Sequence, residues 1–350
     1  MSRTKDKTAQ ISRLIGDWIN NYLPTMKARS VKTIEGYENA ISLFLMFLVS
    51  EKIVQELKII PDNFCHKNIE KWLIWIRDVR NCCPATCNNR LAAIRAFLKY
   101  VARETPELAY LYQESMLIPQ RKTYKTPIRG LTKKAMAAVL AIPSQATRTG
   151  RRDLTLFSVM YDTAVRIDEI LSLHIEDLHL DIARPSLTVI GKGTKLRTIS
   201  LMPKTVQHLR RYIKDFHGKD PSPGSIVFYS RNTGPSGKMS QSGVNKQLKG
   251  YALIAHESCP EVPLTLHTHQ IRHSAASHWL DDGLNIVQIS RLLGHSEINT
   301  TMVYLDISEE MKAKALVKIA DCSITMIPKE WKQDKSLASL CGIKPIRERK

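Results

Sequence analysis

No stretch of this chain is apolar for long enough to cross a bilayer. The longest candidate, LFLMFLV at 43–49, falls far short of the ~18 residues a spanning helix needs. The N-terminus, MSRTKDKTAQ, also lacks the apolar core of a signal peptide, so the chain is expected to stay in the cytoplasm and off membranes. Acidic residues are outnumbered: 33 Asp and Glu stand against 52 Lys and Arg, a net charge of +19. Such an excess costs stability through self-repulsion unless a polyanion offsets it, and nucleic acid is the polyanion that fits. The excess is +8 up to Lys125 and +11 beyond it, which excludes a simple basic tail and suits two surfaces gripping one long partner. On charge alone, a generally basic protein with no such partner remains the alternative.

Paired cysteine motifs are missing as well. The seven cysteines are odd in number and scattered, which fits free thiols in a reducing compartment and excludes a disulfide framework. The group Cys82, Cys83 and Cys87, with Cys65-His66 upstream, lacks C-x-x-C spacing, and Cys87 falls on an apolar helical pattern, so no metal site is expected there. No internal repeat and no low-complexity tract interrupts the chain.

The first 115 or so residues read as helical throughout. Ser30 is placed to cap a helix whose apolar positions Ile34, Tyr37, Ile41, Phe44, Leu45 and Leu48 recur every three or four residues, the signature of one buried face. A second helix is expected over 67–79, with Ile69, Trp72, Leu73 and Ile76 inward. A third, over 85–102, turns Leu91, Ile94, Phe97 and Leu98 inward and Arg90, Arg95 and Lys99 outward. That basic face suits a DNA groove, and equally a merely solvated surface. The stretch IPQRKTYKTPIRG at 118–130 has Pro, Lys and Arg without periodicity. It reads as a linker whose Lys122 and Lys125 could lie along a phosphate backbone.

Beyond Leu131 the pattern is mixed. Helices are expected near 132–141, 151–163, 166–173, 203–217, 240–256, 269–281, 285–293, 297–304 and 308–320. Two β-rich runs, SLTVI at 186–190 and RTISL at 197–201, flank GKGTKL and predict a hairpin with a basic tip. The fold class is therefore mainly α with a small antiparallel β-sheet. Domains are expected at 1–120 and 131–320, with a basic linker at 121–130 and a tail at 321–350.

Chemistry concentrates in three places. HTHQIRH at 267–273 sets His269 and Arg272 one turn apart on one helix face. His269 and His273 could be read as a metal pair, but no third ligand accompanies them and Arg272 would repel a cation; an arginine beside a histidine suits a phosphate better. In YDTAVRIDEILSL at 161–173, Glu169 follows Arg166 by three. An ion pair there would orient the guanidinium for phosphate, although taken alone the pair reads first as an idle surface one. In RLLGHSEINTTMVYLDI at 291–307, Tyr304 follows His295 by nine residues, and a lone helical Tyr is ordinarily core.

In combination, these elements resemble the tyrosine recombinase (phage integrase, Xer-like) family. Its pattern runs in order: Arg with an acid three residues on, Lys in a β-hairpin, H-x-x-R, L-G-H, then Tyr about nine residues later. Here Arg166 and Glu169, Lys192, His269 with Arg272, His295 and Tyr304 follow that order. No single element is diagnostic; the series is. SVKTIEGYENAISLFLMFL and NNRLAAIRAFLKYV are also similar to the family's N-terminal core-binding domain, so the resemblance spans roughly 10–320.

The resemblance implies a helical, SAM-like core-binding domain followed by an α+β catalytic domain. It implies a site-specific recombinase or integrase that cleaves and rejoins DNA through a 3′-phosphotyrosyl link, integrating or excising a mobile element. Tyr304 would be the nucleophile, Arg166 and Arg272 would stabilise phosphate charge, and Lys192 would be the general acid, with Lys195 its competitor. His269 and His295 would assist, and Glu169 would buttress the cleft without touching substrate. No cofactor or metal is implied. The partners would be double-stranded DNA carrying specific recombination sites and further copies in a tetramer, or related recombinases. The segment 308–320 would contact a neighbouring protomer, and His267 and His273 would be bystanders. Two departures stand out: Ala164 occupies a position where the family commonly has Gly, and Leu305-Asp306 replace a common Thr-His pair. A type IB topoisomerase-like enzyme and a catalytically silent DNA-binding relative are the alternatives.

Overall fold

A computed structural model describes residues 2–26, 30–54, 58–123, 130–191, 195–230, 234–294 and 299–302. The chain divides into two units, Met1–Lys125 and Thr126–Lys350, and the division falls inside the stretch read as a linker.

The first unit is helical. Helix α1 (Ser2–Asp17) continues into a wider π-helical turn, Trp18–Met26, with Pro24 inside it. Then come α2 (Val31–Ser50), α3 (His66–Asp78), α4 (Pro84–Glu104) and α5 (Ala109–Leu117). The inward faces read from the sequence close on one aromatic core of Trp18, Phe44, Phe47, Phe64, Trp72 and Phe97. Phe44 meets Trp72 edge to face at 5.3 Å, an arrangement that aromatic quadrupoles favour. Ser30 does stand at the start of α2, where its carbonyl accepts from the Thr33 and Ile34 amides. Its hydroxyl pairs with Thr33 Oγ1 at 2.9 Å instead of capping an amide. Pro84 opens α4, where its missing N–H goes unmissed, and Cys87 is buried in the core.

Arg95 requires a correction. Read as part of a DNA-facing surface, its guanidinium instead bends across to the end of α5. There Nε and Nη2 donate to the Ser115 carbonyl at 3.0 and 2.8 Å, and Nη2 also donates to the Ile118 carbonyl at 2.6 Å. The last carbonyls of a helix have no partner within it, and a cation there complements the helix dipole. Arg90 donates to the Gly36 carbonyl at 3.3 Å. Lys99 and Lys122 are exposed, and Lys125 lies outside the described residues.

The second unit begins with α6 (Lys133–Ala141) and α7 (Arg148–Thr163), capped by Thr132 and Thr147 through the amides of Ala135 and Gly150. The short α8 (Ile167–Leu171) leads to an antiparallel sheet of β1 (Leu178–His179), β2 (Ser186–Ile190) and β3 (Leu196–Ser200). Strand β1 was not expected; with two residues it has no alternation to read. Strand β3 begins one residue earlier than the sequence suggested. Helices α9 (Pro203–His217), α10 (Gln241–Ser258), α11 (Thr268–Asp281) and α12 (Ile286–Leu293) follow. One described turn, α13 (Asn299–Met302), comes last; the helix expected at 308–320 lies outside the described residues. Leu187 and Val189 of β2 and Ile199 of β3 face the core. In the β2–β3 register Leu187 opposes Ile199, and Val189 opposes Arg197, so an arginine occupies a core-facing strand position.

Two outcomes follow from this packing. Arg95→Ala should lower the unfolding free energy of the first unit by about 1–3 kcal/mol, because carbonyls at the end of α5 lose their donors. DNA affinity measured well below the transition should be unchanged. In the second unit, His273 on α11 is pushed down to about 4 by burial, then by the nearby charges of His269 and Arg272. The unfolded chain, with an ordinary histidine pKa near ~6.5, binds the extra proton first as pH falls. Stability should therefore drop between about pH 6.5 and pH 4. His273→Gln should flatten that decline by roughly 2 kcal/mol in thermal unfolding followed against pH.

Candidate active site

The site is built at the junctions of elements. Helix α7 ends at Ala164, which adopts the left-handed conformation at φ 49°. A side chain in that region costs about 1–2 kcal/mol, the reason glycine suits it. The Ala164 methyl, however, is fully buried with Ala275, Ala276, Ile289 and Leu293, and that packing offsets the strain. The turn delivers Arg166 to the position just before α8.

Glu169, in the first turn of α8, reaches back to accept the Arg166 amide at 2.9 Å and the Arg166 Nη1 at 3.1 Å. The carboxylate also receives a second guanidinium. Arg197 Nη2 lies 2.7 Å from Glu169 Oε2, and Arg197 Nη1 lies 3.3 Å from Oε1. The Glu169 side chain is only 8% exposed. Burial pushes its carboxyl upward, but hydrogen bonds from Arg197 and from the Arg166 amide, with both positive charges, hold it below the usual carboxylate range.

Helix α11 supplies the next two residues. Gln270 accepts the His267 amide at 3.0 Å, and Asn245 of α10 accepts the Thr268 amide at 3.0 Å, which fixes the helix start. Arg272, 5% exposed, donates from Nη1 to the Ala164 carbonyl at 2.5 Å and from Nη2 to the Leu293 carbonyl at 2.8 Å. It thereby joins the end of α7, two residues before Arg166, to the end of α12, two residues before His295. His269 sits one turn earlier at the surface. Its pKa is lowered by partial burial, then by the charges of His267, Arg272 and Arg166, so the ring is neutral at pH 7 and able to accept a proton.

The structure thus brings Arg166, Glu169, His269 and Arg272 together. It adds Arg197, to which the sequence reading gave no role. The signal was available: in LRTIS, Arg197 is in phase with buried Ile199, where an apolar residue is expected. Lys195 is exposed, and its carbonyl accepts the Gly191 amide at 2.8 Å across the base of the hairpin loop. Lys192, His295 and Tyr304 lie outside the described residues, in sequence directly after Gly191, directly after Gly294 and two residues after Met302. The arrangement presents guanidinium groups beside a neutral imidazole, chemistry suited to a phosphodiester.

Comparison with known proteins identifies the family. Residues 129–311 match the model of the phage integrase family. A putative integrase/recombinase of Sinorhizobium fredii, y4rC, is 29% identical over 323 residues, covering 91% of this chain and 94% of that protein. The tyrosine recombinase XerD of Listeria innocua is 27% identical over 300 residues, 85% of this chain and 94% of that one. Among solved structures, the Tn1549 transposon integrase in complex with transposon right-end DNA superposes with a TM-score of 0.64 at 16% identity, covering 86% of this chain and 97% of that one. The XerH site-specific recombinase bound to its difH substrate gives 0.62 at 17% identity, covering 85% and 83%. The second unit matches over most of its length, the sequence relatives extend through the first unit, and the fold agrees: the chain belongs to the phage integrase family of tyrosine recombinases.

Proposed function

We propose that this chain is a site-specific DNA recombinase that cuts and rejoins strands through a 3′-phosphotyrosyl intermediate, in the integration or excision of a mobile element. The observation that carries the reading is the convergence of Arg166, His269 and Arg272, with Arg272 bonded to the Ala164 carbonyl at the approach to Arg166. Two cationic forks and a neutral imidazole suit a scissile phosphate whose non-bridging oxygens gain charge in the transition state. The family's relatives named XerD and the integrase structure bound to transposon DNA support the same substrate class.

In this mechanism Tyr304 Oη attacks phosphorus, and the bond from phosphorus to the 5′ oxygen breaks. The tyrosine proton passes toward His269, and the departing 5′ oxygen takes a proton from Lys192, with Lys195 the competing donor. His295 hydrogen-bonds the phosphate. The bond energy is kept in the phosphotyrosyl ester, so rejoining needs no nucleotide cofactor: a 5′-hydroxyl, from the same or a partner strand, attacks phosphorus and releases Tyr304. Arg90, Lys99, Lys122 and Lys125 are our candidates for backbone contacts, and the net charge of +19 suits a long polyanion. Strand exchange between two sites calls for four copies on paired DNA, with the segment 308–320 as the proposed contact between protomers. The working compartment is the cytoplasm.

A nicked substrate that loses a short fragment after cleavage traps the covalent intermediate. Wild type should accumulate a protein–DNA adduct on it that resists denaturation. Tyr304→Phe should bind the same DNA with unchanged affinity and form no adduct. Adduct formation by that variant would assign the nucleophile elsewhere; its absence from wild type bound to DNA would leave a DNA-binding protein without catalysis.

A further inference from the structure

Arg197 does more than neutralise Glu169. Its guanidinium, on a side chain 14% exposed, lies against two glycines. A Cβ added to Gly191 would stand 3.0 Å from Arg197 Nη1 and 3.7 Å from Glu169 Oε1. A Cβ added to Gly294 would stand 2.7 Å from Nη1, 3.0 Å from Cζ and 3.2 Å from Cδ. A side chain at Gly294 would require the guanidinium to shift, and one at Gly191 would crowd it. Gly191 immediately precedes Lys192, and Gly294 immediately precedes His295. Three segments therefore meet on one ion pair: the start of α8 with Arg166, the hairpin loop entered at Gly191, and the end of α12 at Gly294. Lysine could not replace this group, since it has neither a fork for both carboxylate oxygens nor a plane for two glycines to lie against.

We propose that Arg197 is a positioning residue of the strand-cleavage reaction: paired with Glu169 and packed against Gly191 and Gly294, it fixes Gly191, the residue before the proton donor Lys192, relative to the phosphate-binding Arg166. The inference rests on the recombinase reading above. It touches no substrate; it acts by holding in register groups that do. Misplacement of a reacting group by about 1 Å can cost ~100-fold in rate.

The test compares two nicked substrates, one with the ordinary 5′ oxygen at the scissile bond and one with sulfur in its place. A thiol leaving group, with a pKa near ~8.5, departs without being protonated, so a misplaced proton donor no longer matters. Arg197→Lys and Arg197→Ala should bind DNA like wild type and cleave the oxygen substrate about 100-fold more slowly. On the sulfur substrate they should regain at least tenfold of that deficit relative to wild type, as a Lys192→Ala control should. A purely structural loss would lower both rates equally. Equal defects on both substrates, or a rate on oxygen within threefold of wild type, would overturn the proposal while leaving the recombinase reading intact. No covalent complex from wild type on either substrate would overturn both.

Discussion

The site is organised around one carboxylate. Glu169 is almost wholly buried, and it accepts the Arg166 amide, the Arg166 guanidinium and the Arg197 guanidinium at once. An isolated buried carboxylate would be strongly unfavourable, whereas one with charge-assisted partners on both oxygens is tolerated and directional. The arrangement is asymmetric in its consequences. Removing the acid leaves two cations facing each other, and removing a cation leaves a buried negative charge, so neither partner can be lost without displacing the rest. The start of α8, Arg197 on the core-facing side of β3 and the close approaches of Gly191 and Gly294 all meet at this group.

A second brace works from the helix side. Arg272 ties the carbonyls that end α7 and α12, and those ends lead to Arg166 and His295 respectively. An arginine carries five donors in a fixed fork, so Arg272 can bond two backbone carbonyls at once. The Ala164 turn shows how closely this brace is fitted. A left-handed alanine persists there because its methyl fills the small core beneath α11 and α12 and its carbonyl is held by Arg272.

Much of this was legible in the sequence. The long helices announced themselves because their apolar residues recur at helical spacing, and β2 because a short β-branched run sits between turns. Arg166, His269 and Arg272 were legible through their order and spacing rather than through any local property. What escaped reading depended on contacts between distant segments. Arg95 has the outward phase of a solvated residue, and only the position of α5 reveals what it caps. Arg197 carried a faint signal, a charge in the inward phase of a strand, but its partner Glu169 is 28 residues away. Strand β1 exists only because β2 lies beside it.

The dependence on Glu169 is tested most directly by the single-turnover rate of covalent complex formation in Glu169→Gln, measured alongside its folded fraction and DNA affinity. The amide keeps the shape of the side chain but loses the charge and turns an NH2 toward one of the guanidiniums. Glu169→Gln should fold and bind DNA yet cleave at least about tenfold more slowly, because the arginines lose their common anchor. A rate within threefold of wild type would contradict that dependence.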